Sequence, residues 1–460
     1  MKNLFSVLAI ACLTLSCGND SNKVIETSND ITPSTPKNII MVIGDGMGPT
    51  YTTAYRYLMD DTNTPKVENT VFDRHLVGMS STYPDTNHDY VTDSAASATA
   101  LSSATKTYNG AIGVDMHKNS VETVLERAKS LGMKTGIVVT SQINHATPAS
   151  YLTHNESRNN YNAIANSYID EGIKADVYLG GGWQYFLRDD RNIVNEFKDK
   201  GFTYIDNYQS LETPSSDQQL LGLFDNKGLP WALDDSNKHR LSAMTKAAIK
   251  QLENKNGYFL LVEASQIDWG GHANDIAAAM GEMDDLAKTL EYLETYVIKH
   301  PNTLVIVTAD HSTGGVTLGA NGVYEWKPDV LRTMTQSPSA ITKKLEANKI
   351  TYDLANQLFN FELTENELSD LITVKDNTLR DIEITAITDK HKAKKISVNK
   401  ALYTAVKKII DERTNTGWTS SGHTAVDVPV FAMGNDREKF YGYQDNTDIA
   451  KKIFSLLNNN

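Results

Sequence analysis

Six short apolar, β-branched runs recur along the chain, with helix-length stretches between them. They are NIIMVIG from Asn38, MKTGIVVTS, ADVYLGGG, GYFLLVEAS, NTLVIVTADHS and VPVFAMG. A strand whose residues are apolar on both sides is covered on both faces, as parallel strands are. Helical spacing of apolar residues falls over Ser120 to Leu131, Asn160 to Glu171, Leu241 to Leu252, Asn274 to Ile298 and Thr447 to Leu457. Strands alternating with helices predict an α/β fold with a mostly parallel central sheet flanked by helices on both faces. Between Gly322 and Gly417 the buried-strand pattern stops. That stretch is charged and helix-rich, with Pro338 to Ala347, Thr364 to Leu371 and Lys400 to Arg413 as candidate helices. It reads as an insertion of about residues 322–416, a lid or an oligomer contact.

Composition bounds what such a fold could serve. The chain has 460 residues and a formal net charge of −13, which argues against a nucleic-acid partner held by phosphate attraction. Small phosphorylated substrates stay open, because one metal ion or Arg can outweigh the global field. Lys2 followed by an apolar run from Leu4 to Leu15 describes a secretory signal, too short to span a bilayer. Ser16-Cys17-Gly18 with a polar run behind it resembles a bacterial lipoprotein cleavage site, with Cys17 lipidated and Thr14 where many such sites have Leu. The expected organisation is a signal over 1–17, a flexible tether over 18–36 and one folded domain over 37–460 that carries the insertion. The expected location is periplasmic or cell-surface, with membrane contact through the anchor alone. Both cysteines, Cys12 and Cys17, lie in the signal, so the body must be held by packing and metals rather than disulfides.

Polar residues gather where the predicted strands end, the edge at which open α/β sheets bind ligands. Asp45 follows IIMVIG; His145 and Thr147 follow GIVVTS; Glu263 and Asp268 follow FLLV; Asp310 and His311 follow LVIVTA; His423 precedes the last strand. Singly, each has an ordinary reading as a turn, cap or surface residue. Together they form a ligand set. Asp and His without thiolates suit Zn²⁺, and Glu and Thr oxygens suit Mg²⁺. Asp268 and His272 would share one helical face, whereas adjacent Asp310 and His311 need a loop. Ser94 opens an Ala/Ser-rich stretch, VTDSAASATA, and would stand at a helix N-terminus that favours an anion; either it or Asp93 could instead cap that helix. There is no G-x-S-x-G around Ser94, no His-Glu-x-x-His, and no P-loop Lys after IGDGMG.

IGDGMG, VTDSAASATA, the Arg of THNESR, VEASQIDWGGHAND, TADHSTGG and SSGHT occur in one order from Asn38 to Gly434. In that order they resemble the alkaline phosphatase family. The resemblance implies an alkaline-phosphatase-like fold. It also implies hydrolysis of phosphate monoesters to an alcohol and phosphate through a phosphoserine, with two Zn²⁺ and one Mg²⁺ per subunit. It casts Ser94 as nucleophile and Arg158 as the phosphate-holding guanidinium. Asp45, Asp310 and His311 would hold one zinc; Asp268, His272 and His423 the other. Asp45, Thr147 and Glu263 would hold magnesium. His145 and Trp269 stand where one branch has Asp near the magnesium and Lys near the phosphate, and this pair resembles another bacterial branch with cold-adapted members. Trp269 could equally pack at a pocket rim. The family is often homodimeric, although the insertion could as well shield a monomer. A phosphodiesterase or sulfatase of the same superfold is the alternative. Those commonly use Thr or a Cys-derived nucleophile, and this chain offers Ser94 and a body without Cys.

Overall fold

The computed structural model describes residues 35–87 and 89–459; the signal, Cys17 and nearly all of the tether lie outside the described residues. Ten strands form one sheet: β1 Asn38–Gly44, β2 Leu76–Ser81, β3 Lys134–Gln142, β4 Val177–Gly181, β5 Thr203–Ile205, β6 Leu220–Leu223, β7 Tyr258–Ala264, β8 Thr303–Thr308, β9 Val428–Gly434 and β10 Gly442–Asp445. Their spatial order is β10-β2-β9-β8-β1-β7-β3-β4-β6-β5. Every neighbouring pair is parallel except the two that include β9. The six apolar runs became β1, β3, β4, β7, β8 and β9. The strands without such a run, β2, β5, β6 and β10, lie at or towards the sheet margins.

Alternate residues of the central strands feed two cores. Ile40 and Val42 of β1 join Leu260 and Val262 of β7 on one face, with Leu286 and Leu290 from helix Ile276–Lys299 and Met244 from helix Arg240–Leu252. Ile39, Met41 and Ile43 join Phe259 and Leu261 on the other, with Leu125, Ile164 and Ile453 from three further helices. Each face thus removes a continuous apolar layer from water.

Two helices differ from the sequence expectation by more than two residues at an end. The helix expected from Ser120 begins at Val124, because Thr123 and Glu126 close a capping box. The one expected over Thr364 to Leu371 runs Glu365–Thr388: Thr364 and Glu367 cap its start, and no Gly or Pro stops it. Its second half is mostly exposed, so apolar spacing cannot report it. Elsewhere in residues 322–416, Ile341, Leu345, Leu402 and Val406 are buried in the first core.

Candidate active site

The site lies along one sheet edge. Asp45 follows β1, Glu263 is the last residue but one of β7, and Asp310 and His311 sit in the loop after β8. His423 precedes β9, yet β9 runs antiparallel to β8, so its start lies at the edge where the parallel strands finish. A short antiparallel pair, His423–Thr424 with Ser312–Thr313, fixes His423 beside His311, ring centroids 3.5 Å apart.

Asp93 caps helix Ser94–Ser103: its side chain accepts from the Ala96 N–H at 2.9 Å. Ser94 is therefore the first helical residue, buried, with Oγ 3.2 Å from His311 Nε2. Uncommitted N–H groups there favour an anion. Asp93 also takes a hydrogen bond from Arg158 at 3.0 Å, so one carboxylate both starts the helix and aims the guanidinium.

Three groups of ligand-type atoms converge: Asp268, His272 and His423; Asp45, Asp268 and His311; Asp45, His145 and Glu263. Asp268 thus stands between the first two. Asp310 Oδ1 accepts from the Gly46 and His311 N–H groups, while its Oδ2 lies 3.2 Å from His311 Nε2 with no hydrogen bond. The residues fit cations on independent grounds. Both Asp45 oxygens, Glu263 Oε1, Asp310 Oδ2 and Thr147 Oγ1 are buried without hydrogen-bond partners, which is costly unless a cation satisfies them. His272 Nδ1 faces the Ser421 carbonyl at 2.6 Å and His423 Nδ1 the Thr92 carbonyl at 2.8 Å. Carbonyls only accept, so Nδ1 carries the proton and the two Nε2 lone pairs meet 3.0 Å apart. A positive ion between them relieves that opposition.

The electrostatics point the same way. Burial, then the charges of Asp310, Asp268 and Glu263, raises Asp45 well above the usual carboxylate range. Burial pushes Glu263 up to about 7, and Asp310 is raised from the same first cause. Burial, then the Arg158 charge, drives His145 down to about 3, so it is neutral. Arg158 approaches His145 Nε2 at 3.4 Å. A guanidinium only donates, so this contact leaves the His145 proton on Nδ1. Trp269 meets His145 edge-on at 6.1 Å and lies over Gly228, where a Cβ would come within 2.3 Å of its ring.

All twelve candidate residues thus fall in one neighbourhood. Three others were not singled out from the sequence. Thr313 donates to Asp268 and accepts from His311 Nδ1 at 3.2 Å. Asp93 was weighed only as a cap. Gly46 has φ +71°, and a Cβ there would meet the Asp268 backbone at 2.7 Å. For Gly46 the available signal was the pair of glycines flanking Asp45.

The chain is similar to known proteins over nearly all of its described length. The family profile described as "Alkaline phosphatase" matches residues 36–459. Alkaline phosphatase 3 of Bacillus subtilis is 44% identical over 430 residues, covering 92% of this chain and 89% of its own. A cold-active alkaline phosphatase from a psychrophilic Shewanella sp. superposes with a TM-score of 0.83 at 46% identity, over 91% of this chain and 99% of its own. A TAB5 alkaline phosphatase variant, His replaced by Asp and Mg bound in its M3 site, gives a TM-score of 0.65 at 28% identity, over 92% and 99% of the two chains.

Proposed function

The chain belongs to the alkaline phosphatase family and is a metal-dependent phosphomonoesterase; from that premise we propose that Ser94 is its nucleophile, Arg158 its phosphate clamp, and that two zinc ions and a magnesium complete the site. The observation that carries the reading is Ser94 Oγ, freed from capping by Asp93 and held 3.2 Å from His311 inside the ligand cluster. Asp45, Asp310 and His311 would hold one zinc, and Asp268, His272 and His423 the other. Asp45, Glu263 and Thr147 would hold magnesium, in line with the Mg bound in the M3 site of the TAB5 variant. His145, with its proton on Nδ1, would support that third site by donating to a carboxylate or water that holds the ion rather than by a bare lone pair. When bound, the cations supply positive charge that neutralises the buried carboxylates and acidifies hydroxyl groups beside them.

The chain's own residues do the rest. Arg158 presents planar donors to two phosphate oxygens, and Asp93 keeps the guanidinium from swinging away. The N–H groups at the start of helix Ser94–Ser103 face the same anion. Ser94 releases its hydroxyl proton to solvent as its Oγ forms the bond to phosphorus and the bond to the substrate alcohol's oxygen breaks, and that alcohol leaves with a proton from solvent. Water then attacks the phosphoserine, releases phosphate and returns the proton to Ser94 Oγ. Two displacements give net retention at phosphorus. Trp269 would border the phosphate through its single N–H. The residues named here, all among the described ones, read the phosphate rather than a leaving group, in keeping with phosphate monoesters in general as the substrate class.

Export completes the proposal: residues 1–17 as signal, 18–36 as tether, 37–460 as catalytic domain with the insertion, Cys17 lipidated, at the periplasm or cell surface. No helix among the described residues is long and apolar enough to cross a membrane. The test compares p-nitrophenyl phosphate, bis-p-nitrophenyl phosphate and p-nitrophenyl sulfate on the wild type and Ser94→Ala. Monoester turnover should dominate and fall more than about a hundredfold in the variant, the scale of losing a principal transition-state contact, with zinc content retained. Dominant diester or sulfate cleavage, or an active Ser94→Ala, would overturn the assignment.

A further inference from the structure

The segment 319–415 leaves and returns on adjacent strands. Val316–Leu318 pairs antiparallel with Thr416–Trp418, and the same two arms carry His311 and His423. Within the segment, helix Val398–Thr414 turns one face towards the site. Tyr403, Lys407 and Asp411 lie four apart, so they form a single stripe. The stripe meets the C-terminal end of helix Gln266–Ala273, which carries Asp268 and His272. Lys407 Nζ donates to the Ala273 carbonyl, one residue after His272. Tyr403 OH donates to buried Asp275 Oδ2 at 2.7 Å. The other oxygen of Asp275 caps helix Ile276–Lys299 through the Ala278 N–H at 2.9 Å. Asp411 accepts from Trp418 Nε1 at 3.2 Å. The Trp418 ring covers Gly314, where a Cβ would come within 2.8 Å of it, next to Thr313. Asn274 in turn donates to the Ser420 carbonyl at 2.8 Å, tying the same turn to the loop that leads to His423.

These contacts do more than cover a surface. A helix C-terminus presents carbonyls with no intrahelical partner and a negative dipole end. Lys407 meets both needs at the turn that sets the height of the His272 ring. From the stripe Tyr403, Lys407 and Asp411 we propose that the insertion is a positioning device: it holds the Asp268–His272 helix against the His423 arm and so sets the affinity of that pair of arms for zinc. The proposal rests on the reading of Asp268, His272 and His423 as a zinc site. Lys407 is a positioning residue; it touches neither substrate nor ion.

The test is zinc competition against a chelator of known affinity, on the full chain, for wild type, His272→Ala, Lys407→Met, Lys407→Arg and Tyr403→Phe. His272→Ala identifies which zinc equivalent belongs to this site. Lys407→Met should weaken that equivalent at least tenfold and leave the other unchanged. Lys407→Arg, which keeps a cationic donor, should restore most of the affinity. Tyr403→Phe, a milder change, should weaken the same equivalent in the same direction. The melting temperature of the metal-free Lys407→Met and Tyr403→Phe proteins should stay near that of wild type. Unchanged affinity in both variants overturns the proposal. So does equal weakening of both equivalents with a lowered metal-free melting temperature, which would make the contact one of general stability. If His272→Ala keeps every zinc equivalent, the ligand assignment itself fails, and that result is separable from the others.

Discussion

Thr313 shows how much one hydroxyl can organise. It sits beside two groups that would otherwise be set separately, giving its proton to Asp268 and accepting from His311 Nδ1. The second contact leaves the His311 lone pair on Nε2, facing Asp310 at 3.2 Å and Asp45 at 3.5 Å. Thr313→Val keeps the shape and removes both hydrogen bonds. His311 Nδ1–H, fully buried, then loses its partner. The loss of an outer partner of a metal-ligating group costs about 10–100-fold in affinity or activity. Thr313→Val should therefore lower zinc affinity and kcat/KM by about that factor, and Thr313→Ser should retain most of both. Chelator competition with steady-state kinetics checks this; a valine variant equal to wild type would remove Thr313 from the role. Nothing in the sequence alone marks Thr313 above other threonines, because its two partners come from different elements.

At the scale of elements, the start of helix Val124–Ser130 illustrates a terminus decided by a few hydrogen bonds. Glu126 closes the capping box with Thr123 and also meets His154 Nε2 at 3.1 Å and Lys174 at 2.7 Å. Burial alone would raise its pKa, but the hydrogen bonds from His154, Lys174 and Thr123 outweigh burial and hold it at about 2. The folded value lies below the ordinary one. Its stabilisation is thus fully present above about pH 4.5 and disappears as pH falls towards 2. The shift corresponds to about 3 kcal/mol at most, since one pKa unit is about 1.4 kcal/mol. Glu126→Gln should lose about 1–2 kcal/mol at neutral pH, the range for a cap and its charged partners. Its deficit relative to wild type should shrink between pH 4.5 and 2. Urea unfolding of the metal-free protein across pH measures it, and a pH-independent deficit would contradict the assignment. Thr123 and Glu126 spell a capping box in the sequence, yet periodicity placed the helix start at Ser120, since apolar spacing carries no information about which hydroxyl turns inward. The antiparallel course of β9 was illegible for a related reason: its buried run, VPVFAMG, reads the same in either direction.

For the whole molecule, the acidic balance has a local focus. Asp45, Glu263, Asp268 and Asp310 are all buried along one sheet edge, with Arg158 the cation among them. Without bound cations Asp45, Glu263 and Asp310 draw protons, each raised above the usual carboxylate range first by burial. Metal removal should therefore lower the stability of the entire domain. At free metal a thousand times its dissociation constant, each ion contributes about 4 kcal/mol. Chelation should lower the melting temperature by several degrees per ion, and reloading should release protons in a weakly buffered calorimetric titration. An unchanged melting temperature after verified metal loss would refute this coupling. By itself the sequence determined the central strands, the two-faced burial of the sheet, a helix opening around Asp93 and Ser94 and the residue types of the ligand set. Those follow from local periodicity and from chemistry that each short motif carries within itself. Tertiary structure alone decided that His423 joins the edge from the wrong end of its strand, that Arg158 reaches Asp93, and that a helix of the insertion grips the turn after His272. Each of these depends on strand direction or on a contact between residues far apart in the chain, and neither leaves a periodic trace in sequence.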